Sequence, residues 1–257
     1  MSIYTAQLPE RGFITLSGSD CFDFLQNIVT NNLSLLETQP SIYACLLTPQ
    51  GKFLHDFFIW KDDDNYLIEC EAGDRVQDLY KRLSIYKLRA KVDINIINPK
   101  PVFVTWGDDY LGNDPRLPAL GDRSFEVPET NSDFDAYDQY RLSLGVSDGS
   151  RDMIIEKSTM AEARIDKLNG VDYTKGCYVG QELTARMHYR SLGKKFLFPL
   201  KSEQDDIEGD EITHNGKSIA QIRSKNGTLA LALMRKDIFD TWPLEDIKPF
   251  ILDWMSP

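Results

Sequence analysis

The chain has 257 residues, of which 42% are hydrophobic and 27% are charged, so it can form a core and remain in solution. This length is ample for two or three small domains. The formal net charge of −11 argues against a general nucleic-acid binder, because contacts to phosphate groups need clustered Lys and Arg.

Neither a membrane span nor a secretory signal is predicted. No stretch approaches the roughly 20 apolar residues of a membrane span. Residues 1–10 lack a basic region followed by an apolar run. We therefore expect a cytoplasmic protein without a membrane partner. A mature organelle protein without its presequence would show the same features.

The first hundred residues predict helices and antiparallel strands. Residues 17–20 predict a turn and a helix cap, followed by apolar residues at helical spacing from 21 to 28. Strands are predicted at 42–47 and 53–60, joined as a hairpin, and at 66–70. A helix follows, with apolar residues at 76, 79, 80 and 83, and then a strand at 92–96. This order is typical of an α+β fold in which helices cover an antiparallel sheet.

The acidic stretch at residues 108–138 predicts long connections around one short strand. Its Asp clusters resemble a metal site, but clustered charges are more often solvated. Beyond residue 192, strands at 196–200, 219–223 and 229–234 and two Asn-Gly turns predict a small, barrel-like all-β module. We therefore expect a core at residues 1–190 and a C-terminal module at 191–257.

Four widely spaced cysteines, with no Cys-x-x-Cys pair, give no zinc-site pattern, and we predict no metal site. Cys21, Cys45 and Cys70 lie among apolar neighbours and are predicted to be buried. Cys177 differs because glycines 176 and 180 flank it and good helix formers follow, which predicts a tight turn at or just before a helix.

A thiol near a helix N-terminus is favoured as thiolate by the helix dipole. No acidic residue lies between 183 and 201, although five Arg and Lys do, so the surroundings are locally cationic. Two interpretations stay open, a reactive or anion-facing cysteine and a turn cysteine that only packs. A hydrolase needs a histidine base, and His188 should lie about three turns along the following helix, so no Cys–His pair is predicted.

The segment from Lys175 to Arg186, Lys-Gly-Cys-Tyr-Val-Gly-Gln-Glu-Leu-Thr-Ala-Arg, resembles the signature of the YgfZ/aminomethyltransferase (GcvT-like) superfamily. It is especially similar to the mitochondrial iron–sulfur assembly branch and its bacterial relatives. Residues 24–33, 47–56 and 86–92 resemble further segments of the superfamily. Together these matches cover most of residues 15–200.

The resemblance implies an α+β, GcvT-like ring of small subdomains around a tetrahydrofolate site. It also implies a role in making or repairing iron–sulfur clusters of the four-iron kind, with Cys177 as the required thiol. The implied partners are folate and iron–sulfur assembly proteins or client enzymes. Around the motif, the implied folate-binding residues are Glu162, Lys175, Tyr178, Gln181, Glu182 and Arg186.

Asp56 matches the aspartate that the aminomethyltransferase branch places beside folate, but His55 stands where that branch has a first acid. The chain is also shorter, and that branch lacks the Lys-Gly-Cys-Tyr signature. These departures favour a binding protein that is not a classical enzyme. The alternative is a folate-dependent aminomethyl- or methyltransferase that uses Asp56, and a scaffold that binds no folate is a third hypothesis. For Glu162 and Arg186, an exposed helix surface is an equally simple interpretation.

Overall fold

A computed structural model describes residues 2–9, 11–190 and 193–255. Within these residues the chain forms three antiparallel sheets and six α-helices. The helices are α1 (Cys21–Ile28), α2 (Asp74–Lys87), α3 (Phe134–Ser143), α4 (Gly149–Asp152), α5 (Gln181–Tyr189) and α6 (Lys236–Asp240). The strands are β1 (Ile3–Gln7), β2 (Arg11–Ser17), β3 (Ser41–Leu47), β4 (Phe53–Asp62), β5 (Asn65–Glu71), β6 (Asp93–Ile97), β7 (Phe103–Gly107), β8 (Asp122–Ser124), β9 (Lys195–Ser202), β10 (Glu211–His214), β11 (Lys217–Asn226), β12 (Leu229–Arg235) and β13 (Ile247–Pro249).

The first sheet has the order β3-β4-β5-β2-β6 and carries the predicted hairpin in β3 and β4. The apolar residues of α1 and α2 pack on one face of this sheet, as their helical spacing predicts. Strands β3, β4 and β5 are one or two residues longer than predicted, β6 is displaced by one residue, and β2 was not predicted. Residues on the other face of β4 line a cavity.

The turn before α1 differs from the expected helix cap. Asp20 is the N-cap residue, but its side chain makes no capping bond to α1. Instead its carboxylate accepts a hydrogen bond from the main-chain N–H of Lys91, at 2.8 Å. The turn therefore connects α1 to the entry of β6.

The second sheet, β1-β7-β8, was not predicted apart from the short strand β8. Strand β1 pairs with β7 about a hundred residues later, with Thr5 opposite Thr105. The expectation of connections throughout residues 108–138 is wrong at its end, because α3 begins at Phe134. Asp133 caps this helix by accepting a bond from Ala136 N–H, so a residue of the acidic stretch has a structural role.

The third sheet has the order β10-β11-β12-β9-β13 and contains the strands predicted beyond residue 192, and the short helix α6 follows β12. Asn215 and Gly216 both have positive φ, at 50° and 72°, as the two central residues of a type I′ turn require. The division at residue 190 stays a prediction, and residues 191–192 lie outside the described residues.

The core continues from the first sheet into the third. Tyr43 and Phe53 belong to the same buried cluster as Leu197, Leu231 and Leu233. Burial of aliphatic and aromatic side chains across this boundary stabilises both parts together. In the described residues, no helix combines the length and the apolar character that crossing a bilayer requires.

Candidate functional site

A cavity of about 410 Å³ lies between β4, β5, β2, β8 and the helices α3 and α4. This volume is within the range of small-molecule sites. Its lining combines apolar surface with five arginines and three carboxylates. The lining residues are Leu8, Pro9, Arg11, Asp56, Phe58, Glu71, Ala72, Arg116, Arg123, Phe134, Tyr137, Arg141, Asp148, Gly149 and Arg151.

Asp56, predicted from the hairpin, lines this cavity from β4. Its carboxylate accepts a hydrogen bond from the Tyr43 hydroxyl at 2.8 Å. Burial, and next the nearby charge of Glu71, raise the pKa of Asp56 to about 6. The group can therefore exchange a proton close to neutral pH, and in its charged form it can accept N–H bonds.

Glu71 lies beside Asp56 and is held from two sides. Arg75 donates to one carboxylate oxygen at 2.7 Å, and the Ser150 N–H donates to the other at 2.7 Å. Gly149, with φ +47°, lies so close that a Cβ atom there would collide with both carboxylates. The chain reversal at the start of α4 therefore packs directly against the carboxylates of Asp56 and Glu71.

The cavity's arginines are held by carboxylates behind its wall. Glu69 accepts bonds from Arg11 and Arg123, while Asp114 holds Arg116 in a two-bond pair at 2.9–3.0 Å. Asp138 pairs with both Arg141 and Arg151, and Asp152 pairs with Arg141. Such fixed guanidinium groups can bind carboxylate or phosphate with little loss of conformational freedom.

Two of these arginines stack on one aromatic ring. The guanidinium carbons of Arg123 and Arg116 lie 4.1 and 5.0 Å from the ring centre of Phe58. A ring that faces the cavity and carries cations can also stack a flat ligand.

Tyr137 supplies a polar atom that the protein leaves without a partner. Its side chain is buried and lines the cavity from α3, yet its hydroxyl makes no hydrogen bond to the described residues. A buried hydroxyl without a partner is unfavourable. A ligand that bonds to Tyr137 would remove this penalty.

Cys177 lies four residues before α5, in the turn that Gly180 closes as N-cap. It is exposed, whereas Cys21, Cys45 and Cys70 are buried, as predicted for those three. The structure does not bring Cys177 to the lining of the cavity. It places the thiol on the surface, before the N-terminal end of α5, whereas the basic residues from Arg190 onward follow the C-terminal end of that helix.

The side chain of Lys175 makes hydrogen bonds within the protein. Its ammonium group is buried and donates to the carbonyl oxygens of Val29 and Asn31, at 2.8 and 2.7 Å. Burial lowers the pKa of Lys175 to about 8. The residue therefore fastens the motif to the turn after α1.

The other predicted folate-binding residues also lie outside the cavity lining. Tyr178 is buried in the core, and Glu162 is half-buried in a 3₁₀ helix at Met160–Ala163. Of the α5 residues, Gln181 is half-buried, and Glu182 and Arg186 are exposed. Of the eight residues predicted from sequence, Asp56 alone lines the cavity; the ligand contacts of the other seven stay predictions.

The arginines, Glu71 and Tyr137 were missed by sequence reasoning. They come from segments between residues 11 and 151, so no local spacing joins them. One signal was present: Asp148-Gly149-Ser150 follows a helical pattern and contains a glycine at a sharp reversal. Such a turn indicates close backbone approach, which here is the approach to Glu71.

No protein-family model matches the chain. It is 33% identical over 230 residues to the mitochondrial iron–sulfur cluster assembly factor IBA57 homolog of Neurospora crassa, covering 75% of this chain and 52% of that protein. For the homolog of Pyricularia oryzae the identity is 29% over 279 residues, with 90% and 71% covered. For the mitochondrial factor IBA57 of Mus musculus it is 30% over 280 residues, with 90% and 77% covered. The chain thus spans about half the length of the Neurospora protein.

The fold is that of aminomethyltransferase T of the glycine cleavage system from Bartonella henselae. The two structures agree with a TM-score of 0.71 over 98% of this chain and 86% of that one, at 13% identity. The predicted GcvT-like α+β architecture is confirmed.

The expectation of a cytoplasmic protein is wrong. The relatives from Neurospora, Pyricularia and mouse are all mitochondrial proteins. The expectation rested on the absence of a secretory signal, and that absence is shared by cytoplasmic proteins and mature organelle proteins.

Proposed function

The chain belongs to the family of the iron–sulfur cluster assembly factor IBA57, and on that premise we propose that it binds tetrahydrofolate in the central cavity while it serves the assembly of iron–sulfur enzymes. The cavity supports the folate part of this proposal. It combines Asp56, the Tyr137 hydroxyl, which has no partner among the described residues, and the fixed arginines. A pterin ring offers adjacent N–H donors, which a carboxylate can accept. The carboxylates of the glutamate tail suit guanidinium groups.

The residues present fit this ligand. Asp56 and Glu71 are acceptors for the ring, Tyr137 is a free hydrogen-bond donor, and Phe58 is a stacking surface. When bound, tetrahydrofolate would supply a one-carbon carrier or a redox-active pterin. This chain's residues would bind and orient it, and Asp56 could hold or release a proton.

The thiol of Cys177 is proposed to act at the protein surface, on a cluster held with a partner. Iron–sulfur clusters take about four ligands, so one cysteine cannot hold a cluster alone. No group of three or more His, Cys, Asp or Glu side chains suited to a metal occurs in the described ranges. The exposed thiol suits a partner that contributes the remaining ligands.

Calorimetric titration with tetrahydrofolate tests the folate part. Wild type should bind, and Tyr137→Phe should weaken binding about three- to tenfold, the loss of one hydrogen bond. Tyr140→Phe is a matched control, because its hydroxyl bonds Ala119 O and it lies outside the lining. No binding by wild type would contradict the proposal.

Complementation tests the thiol. In cells that lack the native gene, Cys177→Ser should fail to restore the activity of a four-iron enzyme, whereas Gly176→Ala should restore it. Full rescue by Cys177→Ser would contradict a role for the thiol, and would leave the folate measurement unaffected.

A folate-dependent aminomethyl- or methyltransferase is the second candidate, favoured by one observation. Asp56 lies in the cavity with a pKa of about 6, which suits proton transfer near neutral pH. Incubation with an aminomethylated carrier and tetrahydrofolate should then release ammonia and form methylenetetrahydrofolate. Absence of product, where a known transferase is active, would exclude this reaction.

A further inference from the structure

The C-terminal end of α2 exposes apolar side chains on its outer face. Val76, Leu79 and Leu83 are buried on the inner face. Ile85 and Leu88 are 71% and 87% exposed. Lys81, Ile85 and Leu88 follow one another at i, i+4 and i+7, so they share the outer face.

The backbone at Leu88 holds this side chain away from the core. Leu88 is the C-cap of α2, with φ +46° and ψ −108°. Helices commonly end in a residue with positive φ, but that residue is usually glycine, because a Cβ atom is strained there. A leucine in such a conformation persists only where its surroundings determine it, and strain of this kind is frequent at functional positions.

The same surface is basic in a strongly acidic chain. Residues 79–92 contain five Lys and Arg and no Asp or Glu. Arg82 is ion-paired with Asp78, and Lys87 lies 3.9 Å from Asp93. The other three cations, Lys81, Arg89 and Lys91, form no ion pair within the described part of the chain. The carboxylates at the border are Asp20, Asp78, Asp93 and Glu156, and Asp78 and Glu156 both pair with Arg82.

We propose that the α2 tip, formed by Lys81, Ile85, Leu88, Arg89 and Lys91, docks the protein on an anionic lipid surface. The two aliphatic side chains enter the headgroup region, and the three cations meet lipid phosphates. This contact is peripheral and needs no membrane-spanning helix. The inference is independent of the folate site, since α2 has 14 residues, is about 21 Å long, and borders the cavity at its other end.

Lipid suits the α2 tip better than a protein groove does. The tip is a convex helix end with exposed aliphatic residues. Centres of protein interfaces are enriched in Trp, Tyr and Arg that fill pockets. Tyr80 and Tyr86, the two aromatic residues between positions 79 and 92, both pack towards the core. Few apolar atoms and about three cations predict weak, reversible binding that added salt reduces.

Vesicle sedimentation tests the proposal. Wild type should sediment with vesicles of phosphatidylcholine and cardiolipin, and stay in solution with phosphatidylcholine alone. Leu88→Asn should lower the bound fraction several-fold, whereas Leu111→Asn should not, although Leu111 is 74% exposed. Arg89→Gln should weaken binding about fivefold, the effect of one cation, and the exposed Lys217→Gln should leave it unchanged.

A second variant separates docking from folding. Leu88→Gly should unfold at the same temperature as wild type or higher, because glycine accepts a positive φ, and should still lose vesicle binding. Wild type that stays in solution with cardiolipin vesicles would overturn the proposal. Equal binding by Leu88→Asn and Leu111→Asn would also overturn it. So would self-association of wild type in analytical ultracentrifugation that Leu88→Asn abolishes, since the tip would then dock a second copy.

Discussion

At the scale of single residues, Lys175 shows how a signature position can be structural. Its ammonium group is buried and donates to the Val29 and Asn31 carbonyls. Lys175→Ala should lower the free energy of unfolding by about 2–4 kcal/mol, because two buried carbonyls lose their donor. Urea denaturation measures this, with the exposed Lys167→Ala as control. Equal midpoints for the two variants would contradict the structural role.

The contribution of Lys175 to the free energy of unfolding depends on pH, because burial changes the pKa of its ammonium group. The pKa of Lys175 is about 8 in the folded protein, below its ordinary value of 10.5. Between these values the unfolded chain binds more protons, so Lys175 favours folding increasingly as pH rises from 8 to 10.5. Its contribution is lowest below pH 8, where the buried ammonium is charged.

Asp56 should make the protein less stable at neutral pH. Its folded pKa of about 6 lies above the ordinary 3.8, so its favourable contribution is complete below pH 3.8 and is lost as pH rises through 6. Asp56→Asn should therefore be more stable than wild type at pH 7, by about 1–3 kcal/mol, and nearly equal near pH 4. Urea denaturation at both pH values measures the difference. A constant difference across pH would contradict the assigned pKa.

Sequence reasoning singled out Asp56 and Cys177 because each lies in a contiguous motif; Asp56 lines the cavity, and the role of Cys177 stays a prediction. It missed Arg116 and Arg123 because their site exists only after distant strands and helices meet. It also gave Lys175 a ligand role, because the resemblance of the Lys-Gly-Cys-Tyr motif implies one. The Lys175 ammonium group is buried against the carbonyl oxygens of residues 29 and 31. These residues are distant in the sequence, so no local pattern around Lys175 predicts the contact.

At the scale of elements, the hairpins were predictable and the β1-β7-β8 sheet was not. Alternating apolar residues and Asn-Gly turns act locally, so β3, β4 and the β10–β11 turn carry their own signals. Strand β1 has five residues and pairs with β7, although the five strands of the first sheet lie between them in the sequence. Pairing at such sequence separation depends on the whole topology.

The two glycines around Cys177 should behave differently on substitution. Gly180 has φ +83°, and a Cβ there would lie 2.6 Å from Thr48 O, where α5 meets the β3–β4 turn. Gly180→Ala should therefore destabilise the protein by about 2–4 kcal/mol. A Cβ atom at Gly176 would meet open space, with no neighbouring side chain or strand within 4 Å, so Gly176→Ala should stay within about 0.5 kcal/mol of wild type. Thermal unfolding compares them, and equal effects would contradict this packing.

At the scale of the whole molecule, a buried polar network connects α3 and α4 to the C-terminal sheet. Arg141 donates to Asp152 at 2.9 Å, and Ser224 of β11 donates to the other oxygen of that carboxylate at 2.5 Å. Arg141 also reaches Ser224 at 3.1 Å. Together with the shared apolar cluster, this network joins the predicted module to the cavity wall.

The protein should consequently unfold in one transition. Asp152→Asn should lower the free energy of unfolding by about 3–5 kcal/mol, because Arg141 loses one of its two buried carboxylate partners. Ser224→Ala should lower it by about 1–2 kcal/mol. Hydrogen exchange followed by mass spectrometry can report the third sheet, in the C-terminal region, and the first sheet, which lines the cavity, separately. Because both share one core, each variant should accelerate exchange in both sheets, whereas acceleration confined to the C-terminal sheet would show that the module unfolds independently of the cavity.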